Sequence, residues 1–121
     1  MVEFGLAQKF LNDAELLFER KSFTSAAILA SKSVFASSDF LLFSKLNIFV
    51  SDHKKRFNAF KFNFPEISDA LNDAFELYRA AYRKVLTKDE AERVIKIGKE
   101  FTSIIKKKML EWDRQHPPIK L

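Results

Sequence analysis

Two glycines and three prolines are all the conformational punctuation in this 121-residue chain, and two of the prolines stand together near its end, at Pro117 and Pro118. Turns and hairpins draw on Gly and Pro, so a chain this poor in both cannot be cut into many short strands. The expected fold is all-α: an up-and-down bundle of about five helices, four long and one short, whose short loops make neighbours antiparallel. The length suits one domain with one core. That domain is read as residues 1–113, followed by a short tail over 114–121.

Apolar spacing places the helices. From about Phe4 to Arg20, Ala7, Phe10, Leu11, Ala14, Leu17 and Phe18 repeat at the interval of one buried helical face. Ser22 is placed to cap a second helix whose stripe is Phe23, Ala26, Ala27, Ala30, Val34, Ser37 and Leu41. That helix carries a second apolar arc with Ile28, Phe35 and Leu42, more than one neighbour would bury. Ser51 or Asp52 can cap a short helix from His53 to about Lys61. Pro65 then suits the first turn of a long fourth helix. Taking Ile67 as the origin, Ala70, Leu71, Ala74, Tyr78, Ala81 and Val85 share its core stripe, with Phe75, Arg79, Tyr82 and Leu86 on a flanking arc. Thr87-Lys88-Asp89-Glu90 has the form of a capping box. It opens a fifth helix burying Ala91, Val94, Ile95, Gly98, Phe101 and Ile105 and running to about Trp112, with His116-Pro117-Pro118 as its stop.

Fourteen phenylalanines are a large apolar load for one small bundle. Homodimerisation is the expected use of the surplus, with Trp112 as a core or interface anchor. The chain has no cysteine, which excludes disulfides, thiolate metal sites and thiol catalysis. Its first residues lack a basic stretch followed by an apolar one, and uninterrupted apolar runs such as Phe40 to Phe43 are too short to span a bilayer, so a cytoplasmic protein is expected. The net charge of +5 arises wholly in residues 83–121, with eleven basic against six acidic groups. Lys106, Lys107 and Lys108, with Arg93, Lys96 and Lys99, would suit a phosphate backbone, or simply the negative end of the last helix.

Metal and cofactor chemistry find no support in the pattern. Two widely spaced histidines are not a first coordination shell. No Gly-rich phosphate loop, nucleophile elbow or dinucleotide fingerprint occurs, and no cofactor is expected. The candidate binding residues are cationic and aromatic: Arg79 with Tyr82 on the fourth helix, and His53, Lys54 and Arg56 at the start of the third. Arg79 presents a planar donor fork suited to phosphate, or else pairs with Glu76 or lies along Phe75. The His53 cluster stands where free helical N–H groups would also attract an anion.

Arg79-Ala80-Ala81-Tyr82, with Ser51-Asp52-His53-Lys54-Lys55 upstream, and with Ala14, Leu16, Leu17, Lys21-Ser22-Phe23 and Ala26-Ala27 in the first hairpin, resembles the stand-alone HEPN domains of archaea and bacteria. The resemblance covers nearly the whole chain. It implies a helical homodimer, often encoded beside a minimal nucleotidyltransferase in a toxin–antitoxin-like pair, with nucleotide or RNA as ligand. Members that cleave RNA carry an Arg followed after four to six residues by His, near the position of Arg79. Here that interval ends on Lys84, Val85 or Leu86, and from Arg56 on Lys61, Phe62 or Asn63. The expected function is therefore a non-catalytic module that binds nucleotide or RNA phosphate or docks on a nucleotidyltransferase. The alternatives are a metal-independent ribonuclease, using Arg79 with Tyr82 or with His53 across the dimer, and a purely structural partner subunit.

Overall fold

A helix that is apolar or small on nearly every side has to be covered on every side, and Phe23–Leu46 is such a helix. In the computed structural model, which describes residues 4–115 apart from the side chain of Trp112, this element (α2) is the central one. Around it lie α1 (Phe4–Glu19), α3 (His53–Asn63), α4 (Ser68–Ala81) and α5 (Lys88–Gln115), with a 3₁₀ turn at Pro65–Ile67 leading into α4. The protein is an all-α bundle.

Pairings along the helices give their directions. Phe18 meets Phe23 while Ser33 Oγ donates to the Ala7 carbonyl (2.7 Å), so α1 and α2 are antiparallel. Asp73 pairs with Arg93 (3.6 Å) and Lys84 with Glu90 (3.0 Å), so α4 and α5 are antiparallel too. The Leu86 N–H donates to Thr24 Oγ1 (2.9 Å) while Lys45 holds Asp113 (2.7 Å), which sets α2 and α5 in the same direction. Gly98 lets α5 lie close to α1, since a Cβ there would meet Leu11 Cδ1 at 3.0 Å, and the Ala30 carbonyl of α2 would be in ordinary contact at 3.7 Å.

Several sequence expectations hold. Asp52 caps α3, its carboxylate accepting from the Lys55 N–H (2.8 Å). Thr87 and Glu90 form the reciprocal capping box: the Glu90 N–H donates to Thr87 Oγ1 and the Thr87 N–H to Glu90 Oε1, both at 3.1 Å. Every residue expected on the α5 stripe is buried.

Three expectations need correction. Ser22 stands at the α2 N-cap position, but its side chain makes no capping bond. The turn serves the end of α1 instead: Lys21 is left-handed (φ 63°), its N–H donating to the Phe18 carbonyl and that of Ser22 to Leu17, a Schellman motif with lysine where glycine is usual. The fourth helix does not start at Pro65 or run through Val85. It ends at Ala81 in a tightened turn, Tyr82 N–H to Arg79 and Arg83 N–H to Ala80, which leaves Val85 85% exposed and delivers Leu86 to the core. The second arc of α2 does take more than one neighbour, as expected: α2 packs on α1, α3, α4 and α5, and Phe35 and Leu42 are buried within the chain. Lastly, α2 is long and apolar enough in average composition to cross a membrane, although its unbroken runs are short; most of it is covered inside the bundle. The helix α5 continues through Gln115, and the tail with His116-Pro117-Pro118, like the Trp112 side chain, lies outside the described residues.

Candidate functional site

The short helix α3 brings charge to an aromatic corner. Phe35 of α2 and Phe75 and Tyr78 of α4 surround the His53 ring, with centroids 4.9, 4.7 and 5.7 Å away. Beside them opens a cleft of about 230 Å³ lined by Phe35, Phe57, Leu71 and Phe75, with His53, Lys54, Arg56, Asn72 and Glu76 supplying the polar groups. This is smaller than the about 300–1,000 Å³ of pockets that enclose a whole drug-sized ligand. It has room for a ring, with the rest of a ligand left outside.

Arg56 is spent inside the molecule. Its Nε and Nη2 donate to Asp39 Oδ1 and Oδ2 at 2.6 and 2.8 Å, a bidentate pair in which both side chains are mostly buried. Its Nη1 lies 2.6 Å from His53 Nδ1, and its guanidinium sits 5.2 Å above the Phe35 ring. Burial first, and the Arg56 charge second, lower the His53 pKa from its ordinary value, while Asp39 and Asp52 oppose the shift. With its Nδ1 against a guanidinium that can only donate, the ring is held toward its neutral form. One of the N–H groups at the start of α3, that of Lys55, is already taken by the Asp52 carboxylate, which also sets a negative charge where an anion would approach.

Lys54 and Arg79 remain available. Lys54 is exposed and belongs to no ion pair among the described residues. Arg79 is more than half exposed, 3.9 Å from Glu76 and with its guanidinium 5.8 Å over Phe75, so it borders the cleft through two of the lining residues. Both alternatives to anion binding foreseen for Arg79 are thus seen, in loose form. Tyr82 is exposed at the end of α4, its hydroxyl 3.3 Å from that of Tyr78. That hydrogen bond, then burial, raise the Tyr78 pKa above the usual phenol value.

The structure therefore brings His53, Lys54 and Arg56 together at one cleft with Arg79 at its edge, and sets Tyr82 a turn away, reaching the group through Tyr78. Sequence reasoning placed Phe75 beside Arg79 but missed Asp39 and Phe35 as parts of the site. Asp39 alone carries a readable signal, as the only charge between Lys32 and Lys45 on an otherwise apolar helix; a carboxylate there needs a partner. The basic run of α5 is also partly committed: Arg93, Lys99 and Lys108 pair with Asp73, Glu15 and Glu66 on three other elements. Among the described residues no group of His, Asp and Glu is placed to hold a metal ion.

Comparison with protein-family models, with curated proteins and with solved structures returns no match to this chain.

Proposed function

We propose that this chain is a cytoplasmic, non-catalytic binding module of HEPN type, which takes the base of a nucleotide or of RNA in the α2–α3–α4 cleft. Lys54 and Arg79 would then meet its phosphate. One observation carries the reading: an aromatic-walled cleft sized for a ring has an exposed lysine in its lining and an exposed arginine at its edge. Stacking supplies affinity without demanding one sequence, and the cations add a salt-dependent part. Homodimerisation and a minimal nucleotidyltransferase partner belong to the same proposal, by family resemblance alone.

Of the two ribonuclease arrangements, the one that uses His53 as its base is disfavoured by the state of that residue. An imidazole whose Nδ1 takes a hydrogen bond from Arg56 has no free lone pair with which to remove a proton from a 2′-hydroxyl.

Titration calorimetry of the purified protein with adenosine monophosphate and with a short single-stranded RNA, at 50 and 200 mM salt, tests the proposal. The expected result is binding that weakens as salt rises, and weakens further in Lys54→Ala and Arg79→Ala, with the RNA left intact. Absence of binding to both ligands, or RNA cleavage that Arg79→Ala abolishes, would overturn it.

A further inference from the structure

The contact between Arg56 and His53 has one chemical meaning. A guanidinium offers donors and no acceptor, so His53 Nδ1, 2.6 Å from Arg56 Nη1, must be the acceptor, and the ring proton resides on Nε2. Arg56 cannot swing away cheaply, because its other two donors are engaged by both oxygens of Asp39. Nε2, by contrast, makes no hydrogen bond among the described residues, and the one side-chain nitrogen or oxygen that is both buried and unpartnered among those residues is Ser37 Oγ. A donor is thus left open to solvent on a residue that lines the cleft.

We infer that Asp39 and Arg56 hold His53 as a neutral Nε2–H donor that reads an acceptor atom on the base of the bound nucleotide. His53 is then the specificity residue, and Asp39 and Arg56 are positioning residues that act through it. The inference rests on the nucleotide-binding reading above and adds what recognises the base. The charged and titratable groups around the ring are Arg56 and Asp52 on its own helix or cap, Asp39 from α2, and Tyr78 from α4, with Lys54 and Glu76 also on the cleft. A second proton on the ring would sit against the Arg56 cation in a partly dry site, which keeps the donor–acceptor pattern fixed across neutral pH. Adenine suits such a cleft: it sets a ring-nitrogen acceptor beside an amino donor, and His53 and Glu76, both among the lining residues, carry a donor and an acceptor of the matching kinds.

The test has a spectroscopic arm that needs no ligand. In the ¹⁵N-labelled full chain carrying His116→Gln, so that one imidazole remains, long-range ¹H–¹⁵N spectra at pH 7 should show Nε2 protonated and Nδ1 bare. Asp39→Asn, which loosens Arg56, should yield a mixture of tautomers. Adenosine monophosphate should shift the Nε2 signal, and His53→Phe, which keeps the ring and loses the donor, should bind it about tenfold more weakly. A protonated Nδ1 or a charged ring at pH 7 overturns the proposal outright. So does unchanged affinity in His53→Phe. If the tautomer is as expected but adenosine monophosphate fails to bind wild type, the nucleotide reading fails and the base-reading role falls with it, while the Asp39–Arg56–His53 lock stands.

Discussion

At the scale of single residues, the interior of the site is governed by what Arg56 would cost alone. Its guanidinium and the Asp39 carboxylate are each less than a fifth exposed. Removing one partner of such a pair leaves a buried charge unmatched, typically a loss of about 3–5 kcal/mol, whereas removing both can be nearly neutral. Asp39→Ala should therefore lower stability in urea denaturation far more than Asp39→Leu combined with Arg56→Met. A double variant as unstable as the single one would mean that the pair contributes through packing and not charge. His53 adds a dependence on pH. Its folded pKa is lowered, so as pH falls below about 6.5, the ordinary histidine value, the unfolded chain gains a proton that the folded chain refuses. Stability should fall with acidification through that window. His53→Phe should flatten this part of the profile, measured as urea midpoints between pH 7.5 and 5.5.

Element ends show where sequence reading succeeds and where it stops. The Asp52 cap and the Thr87–Glu90 box were legible because each is a local exchange, in which the side chain that satisfies an orphan N–H lies three residues away. Thr87→Ala should cost about 0.5–2 kcal/mol. The end of α4 was not legible, since helical spacing continues smoothly through Val85. What stops the helix is long-range: Thr24, on α2, takes the Leu86 N–H, and the core takes Leu86 itself. The Lys21 turn was hidden for a different reason. A left-handed residue is announced in sequence by glycine, and here a lysine bears the strain because the Schellman bonds at Phe18 and Leu17 demand that conformation. Lys21→Gly should consequently stabilise the fold by up to about 1 kcal/mol, in contrast to the usual effect of introducing glycine. Thermal denaturation of the variant decides it, and a lowered midpoint would show that backbone entropy outweighs the relief.

For the molecule as a whole, the candidate site followed the same division. His53, Lys54 and Arg79 could be picked out by type and spacing, but that Arg56 is consumed by Asp39 depends on the packing of α3 against α2, which no local pattern encodes. The phenylalanine surplus likewise changes meaning once the helices are assembled. Of the fourteen, only Phe49 and Phe62, at 75% and 87% exposure, stand out in solvent; the rest are at least half covered within one chain. An argument for a homodimer from the phenylalanine content therefore shrinks to these two residues, one just before α3 and the other in its last turn. If the protein associates as the family resemblance implies, and if apolar burial drives it, Phe49 and Phe62 are where truncation should act. Each buried phenylalanine is worth about 1.5–3 kcal/mol, so Phe49→Ser with Phe62→Ser should weaken self-association by two or more orders of magnitude in sedimentation equilibrium. The monomer should keep its thermal midpoint, because neither side chain contributes to the core. A wild-type chain that sediments as a monomer at all concentrations would remove the dimer from the proposal without touching the cleft, since every residue lining the cleft is supplied by a single chain.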